Sequence, residues 1–132
     1  MAGDHPPLRV LTDTHSLVWA LSDPASLSPA ARKALGNSEV TASVANLWEL
    51  CLKAQKKDAL LTDPIPWWNK YIVNPGIPAL PIRATHVMAL GALADIHRDP
   101  FDRILVAQSI VEKLQLVTKD AHLAKYGIRT IW

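Results

Sequence analysis

Carboxylates interrupt apolar sequence three times in this chain, in the strings LTDTHSLVWAL (11–21), NLWELCLK (46–53) and HRDPFDRILVAQ (97–108). Asp13 follows the apolar run 8–11, Glu49 lies within an otherwise apolar helical stretch, and Asp102 stands just ahead of Ile104, Leu105, Val106 and Ala107. A lone charge carried into an apolar interior costs several kcal/mol unless something cationic answers it. Incurring that cost repeatedly restricts the chain to folds that gather the acids at one edge of the core. It also points to a hard metal ion among them.

The apolar segments themselves suggest which fold. Residues 8–12, 39–43, 116–118 and 129–132 read as short strands, with 79–82 a further extended piece. Helices are predicted over 14–21, 29–35, 44–56, 65–73, 83–93, 100–113 and 121–126. Ser28-Pro29 and Asp99-Pro100 are helix starts, a cap followed by proline in the first turn, and Gly36 is a stop. Short strands alternating with helices require right-handed crossovers and a parallel sheet covered on both faces. In such a sheet the carboxyl ends of the strands share one edge, where ligands bind. Asp13 ends the first strand, and Asp120 follows the strand at 116–118. Asp99 and Asp102 open a helix whose amino end can face the same edge, and Glu49 is on the helix after the second strand.

Composition excludes several other classes. The 132 residues make one domain with room for a single core, preceded by an expected flexible tail over residues 1–7. Hydrophobic residues at 49% are too many for disorder. A net charge of +2 permits an anionic partner without demanding one, and the basic residues are spread thinly, with Lys56-Lys57 an adjacent pair. The single cysteine, Cys51, rules out an internal disulfide and a thiolate zinc cluster, and its apolar neighbours predict a buried packing role. The opening MAGDHPP lacks the apolar core of a signal peptide, and no apolar run has the roughly 20 residues of a membrane helix. The expectation is a soluble cytoplasmic protein.

Each acid also has an ordinary structural explanation. Asp13 or Thr14 can cap the helix that follows, Asp99 and Asp102 fit the spacing of a capped first turn, and Asp120 can cap the last short helix. Glu49 stands four residues before Lys53, the favourable order for an ion pair along a helix. Four such coincidences at or near strand-to-helix junctions are less economical than one shared pocket. Two like charges about 4 Å apart repel by roughly 4 kcal/mol at an effective dielectric of 20, so some acids protonate or a divalent cation joins them. An oxygen-only donor set suits Mg²⁺ or Mn²⁺, whereas His15, His86, His97 and His122 show no paired spacing for zinc. No Walker loop, G-x-S-x-G or G-x-G-x-x-G is present. Metal-assisted hydrolysis of a phosphodiester fits these residues best.

DTHSLVWAL at 13–21, WELCLK at 48–53, HRDPFDRILVAQ at 97–108 and LVTKD at 116–120 occur in that order, followed by Tyr126 and a terminal Trp132. In this set the chain resembles the PIN-domain ribonucleases, specifically the VapC-type toxins of bacterial toxin–antitoxin pairs. The resemblance implies a three-layer α/β/α sandwich with a small, mostly parallel central sheet. It also implies endoribonuclease activity dependent on Mg²⁺ or Mn²⁺, with Asp13, Glu49, Asp102 and the less constant Asp120 as the site acids. A homodimer, and a complex with an inhibitory VapB-type antitoxin, are the implied assemblies. The chain departs from many relatives at AQKKDAL (54–60), where a glycine-lysine pair is common, and at LADI (93–96), where a leucine-proline is common. These departures bear on loop shape and substrate choice rather than on chemistry.

Thr14, Asp99, Arg103 and Thr118 are candidate supporting residues, with a cap the first reading for Asp99 and a solvated or ion-paired helix residue slightly preferred for Arg103. Trp19 and Trp48 are expected in the core. The adjacent Trp67 and Trp68 cannot both face inward, leaving one for a partner or a base. His15 is read as structural rather than as a general base. Two other functions compete: a catalytically silent PIN-like module that binds RNA or protein, and a phosphatase using Asp13 as nucleophile. The latter ordinarily needs a second aspartate two residues on, where this chain has His15.

Overall fold

A computed structural model describes residues 8–132; the tail expected over 1–7 lies outside the described residues. Strand β1 (Leu8–Thr12) leads directly into helix α1 (Thr14–Ser22), and α2 (Pro29–Gly36) precedes β2 (Ser38–Ser43). Helix α3 (Val44–Lys53) follows without a loop, then α4 (Pro64–Trp68), which widens into a π-helical turn over Asn69–Val73. The chain continues through β3 (Ala79–Leu80), α5 (Ala84–Gly91), α6 (Pro100–Glu112) and β4 (Gln115–Val117). A 3₁₀ turn (Ala121–Tyr126) leads to β5 (Thr130–Ile131).

The five strands form one sheet in the order β3-β2-β1-β4-β5, and every pairing is parallel. From β1 the chain winds outward through β2 and β3 on one side, then through β4 and β5 on the other. The winding direction therefore reverses between β1 and β4. Outside the carboxyl ends of these two strands a parallel sheet leaves a crevice, because the connections on either side depart in opposite directions.

Side chains alternate across the sheet, and this builds the two covering layers. Leu11 and Leu116 face a core completed by Ala45, Ile104, Leu105 and Leu123. Their neighbours Val10 and Val117 face the opposite side, against Leu27 and Ala31. Leu17, Ala42, Trp68 and Ile72 extend that second layer under α4. The result is the three-layer arrangement expected from the alternating strands and helices.

A buried polar network locks the site-bearing ends together. Asn46 donates from Nδ2 to Thr12 O and Thr14 Oγ1, each at 3.2 Å, and accepts the Ser43 N–H at 2.7 Å. The Ser43 hydroxyl donates to Gln108 on α6 at 2.6 Å. The ends of β1 and β2 and the start of α3 are thus fastened to α6 through groups that have no access to water.

Several sequence expectations are corrected. Helix α3 stops at Lys53 instead of running to 56, and α5 stops at Gly91 instead of 93. The 121–126 helix is present with the expected bounds and is of the 3₁₀ type, but the last strand is shorter than 129–132. Trp48 is 51% exposed rather than in the core, and Cys51 is exposed rather than buried. The reason is helical phase: α3 turns Ala45, Asn46, Glu49 and Leu50 inward, which sends 48, 51 and 52 outward. Apolar neighbours in sequence do not share a face. Of the tryptophan pair, Trp68 is buried, while Trp67 lies half-buried with its indole N–H donating to Ser22 Oγ at 3.3 Å.

Candidate metal centre

Asp13 is the first residue after β1 and caps α1, its Oδ1 accepting the Ser16 N–H at 2.9 Å. Its backbone N–H donates to Val117 O at 3.0 Å, which ties it to the end of β4. The neighbouring Thr118, 2% exposed, donates its hydroxyl to Asp13 Oδ2 at 2.6 Å. The same hydroxyl oxygen accepts the Asp120 N–H at 3.1 Å. Adjacent parallel strands thereby bring acids from opposite ends of the sequence to one edge.

Helix α6 supplies the next group. Asp99 caps it, Oδ1 accepting the N–H groups of Phe101 at 2.8 Å and Asp102 at 3.2 Å. Asp102 sits in that first turn, where the helix dipole favours negative charge. Even so, burial and then the nearby Asp99 and Asp13 carboxylates push its carboxyl up to about 7, with His97 opposing. Glu49 projects from the inner face of α3 and is 8% exposed. It pairs with Lys53 one turn later, and that hydrogen bond raises the Lys53 ammonium above its usual range.

Asp13, Glu49, Asp99, Asp102 and Asp120 line one cleft of about 340 Å³, with Thr14, Lys53 and Lys119 also on its walls. Two of these acids, Asp102 and Asp120, form with His97 the closest group, each offering a ligand-type atom within 4.8 Å of the others. Asp13 and Glu49 enter the cleft from the β1 and α3 walls without belonging to that closest group. The donors are mostly carboxylate oxygens, and the Asp102 carboxyl is raised first by burial and then by its acidic neighbours, two penalties on its charged form that a hard divalent cation would relieve. Ser16, on the same wall, carries a buried hydroxyl with no partner among the described residues. This donor set fits a hard divalent cation.

His97 escaped the sequence reading because its role depends on a fold contact. The Asp99 N–H donates to its Nδ1 at 3.1 Å, so the neutral ring carries its proton on Nε2. That Nε2 lies 2.9 Å from Asp120 Oδ2 and 3.7 Å from Asp102 Oδ2. A protonated nitrogen cannot ligate a metal, so His97 is a donor that holds Asp120. Asn46 was missed for a similar reason. The only sequence signal for either is its position inside a motif string.

Arg103 is engaged away from the cleft, donating to Ala94 O at 3.0 Å, His97 O at 3.3 Å and the Tyr126 hydroxyl at 3.1 Å. It pins the loop that presents His97, stays partly exposed to solvent, and forms no ion pair with an acid among the described residues. Tyr126 also accepts the His97 N–H at 2.8 Å. His15 is exposed at the cleft mouth, its ring edge-on to Trp19 at 5.4 Å.

Comparison with known proteins places this geometry in context. The PIN-domain family profile matches residues 10–128. Ribonuclease VapC22 of Mycobacterium tuberculosis is 30% identical over 120 residues, covering 89% of this chain and 91% of that protein. Among solved structures, VapBC2 from Rickettsia felis bound to a promoter DNA fragment superposes with a TM-score of 0.65 at 14% identity, covering 93% of this chain and 97% of the other. FitAcB from Neisseria gonorrhoeae does so with a TM-score of 0.63 at 16% identity, covering 92% and 95%.

Proposed function

Because the chain belongs to the PIN-domain family, and resembles its VapC-type ribonucleases over most of its length, we propose that it is a divalent-metal-dependent endoribonuclease, the toxin of a toxin–antitoxin pair. The observation that carries this reading is the convergence of Asp13, Glu49, Asp102 and Asp120 on one cleft where the winding of the sheet reverses. The four carboxylates would hold Mg²⁺ or Mn²⁺ there. A bound ion of this kind acidifies a water and offsets charge on a phosphoryl oxygen, which supports hydrolysis of a phosphodiester without a protein nucleophile.

The chain's own residues prepare that chemistry. Thr118 fixes the rotamer of Asp13, and His97 fixes that of Asp120. Asp99 sets the first turn of α6 and with it the position of Asp102. Such partners of ligand residues govern metal affinity almost as strongly as the ligands. Lys53 neutralises Glu49, and Lys119 sits on the cleft wall, where an ammonium attracts an RNA phosphate. The silent-module alternative leaves this clustering of costly acids without a purpose.

A VapB-type antitoxin is the proposed inhibitor, in a hetero-oligomer built on a toxin homodimer in the cytoplasm. The outer face of α3 supports a protein partner, since Val44, Trp48 and Leu52 are exposed apolar residues on one helix. No helix among the described residues is long and apolar enough to cross a membrane. The deciding experiment compares wild type with Glu49→Gln and Asp13→Asn in RNA cleavage with Mn²⁺ and in growth arrest on expression. Both activities should disappear while the fold persists. Undiminished cleavage by either folded variant would refute the proposal.

A further inference from the structure

A second cavity of about 260 Å³ adjoins the acidic cleft and shares Thr14, His15, Glu49 and Lys53 with it. Its chemistry is different. Leu50, which is buried, and the half-buried Leu60 and Leu61 give it an apolar lining, while Lys56 and Asp58 are exposed at its rim. The wall is a shaped segment rather than a loose loop: the Lys56 N–H donates to Lys53 O and the Ala59 N–H to Lys56 O, each at 3.1 Å. This is the AQKKDAL stretch, which the acidic cleft itself leaves without a role.

We propose that this cavity is a nucleobase subsite, which takes the base of a nucleotide flanking the scissile phosphate and so sets where RNA is cut. The inference rests on the ribonuclease reading and extends it to substrate choice. Single-stranded RNA presents, within one nucleotide, an anionic phosphate and a flat base with apolar faces and polar edges. The two adjoining cavities offer the matching pair, a cation-binding cleft for the phosphate and a leucine-lined recess for the base. Lys53 stands on the boundary they share, where the backbone of such a nucleotide would pass. At the rim the Asp58 carboxylate accepts hydrogen bonds only, so it discriminates among bases by the N–H groups they present.

The test maps 5′ ends after Mn²⁺-dependent cleavage of a random-sequence RNA pool by wild type, Leu60→Trp and Asp58→Asn. Calorimetric Mn²⁺ uptake and a thermal melt run beside it. Wild type should show a base preference at one position flanking the cut. Leu60→Trp, which fills the recess, should flatten that preference and lower kcat/KM at least about tenfold through KM, with Mn²⁺ uptake unchanged. An RNA with an abasic ribose at the preferred position should be cut equally by both proteins. Asp58→Asn, at an exposed site that should not endanger folding, should shift the preferred base. Wild-type preference and KM in both folded variants would overturn the subsite alone. So would retained preference with weakened antitoxin binding, which would assign the recess to the antitoxin. Absence of cleavage by Mn²⁺-loaded wild type would overturn the ribonuclease reading and the subsite with it.

Discussion

The Thr118 hydroxyl donates to Asp13 Oδ2 at 2.6 Å, joining two residues 105 positions apart across the ends of adjacent parallel strands. Asp13 Oδ1 is already committed to the cap of α1, so Thr118 determines the direction of the remaining oxygen. Thr118→Val keeps the shape and removes the donor. Mn²⁺ affinity measured by calorimetry should fall about 10- to 100-fold. Thr118→Ser should restore most of it, which separates the hydrogen bond from mere packing.

His97 offers a parallel case with a different diagnostic. Gln places an amide N–H near the position of Nε2, whereas Ala leaves Asp120 Oδ2 without a donor. His97→Ala should reduce RNA cleavage by about 10- to 100-fold and raise the Mn²⁺ concentration needed for half-maximal activity. His97→Gln should recover part of both. Equal defects in the two variants would mean that the ring acts in some other way.

The Asp102 carboxyl, lifted from an ordinary value of 3.8 to about 7, has a definite pH consequence. A carboxyl whose folded value is raised binds its proton more tightly in the native state than in the unfolded chain. In the metal-free protein its contribution to stability is complete below about 4, declines as pH rises toward 7, and is level above. Solvent screening at this partly exposed group limits the loss to roughly 1–3 kcal/mol. Denaturant melts in chelator at pH 5 and pH 8 should reveal it as a difference between wild type and Asp102→Asn. A divalent cation competes with that same proton, so its affinity should rise with pH up to about 7.

Leu116→Ala tests the framework rather than the site. Leu116 is fully buried and faces the core formed with Leu11, Ile104 and Leu105. Its truncation should cost about 2–5 kcal/mol in chemical denaturation. Mn²⁺ uptake per folded molecule should be preserved, since Thr118 and Asp13 are held by their own hydrogen bonds. A loss of uptake without a loss of stability would contradict that separation.

Much of this was legible in one dimension. Short apolar runs separated by helices dictated a covered parallel sheet, because the side-chain period and the lack of tight turns leave few alternatives. Asp13, Asp99 and Asp120 advertised themselves as residues at strand or helix ends, and all three do cap the helical segments that follow. Placing Trp48 and Cys51 failed because composition was read where phase mattered. Within α3 the inward direction is set by Asn46 and Glu49, and Trp48 and Cys51, each two positions beyond one of them, point to solvent.

The amino-acid sequence by itself therefore determined the alternating architecture, the acids and their junctions, since these depend on period, capping and the cost of burying charge. Tertiary structure alone decided which acids draw close, that His97 donates rather than ligates, and that Thr118 holds Asp13. Those outcomes depend on strand order and on hydrogen bonds between distant segments, and no local pattern encodes the distance between β1 and β4.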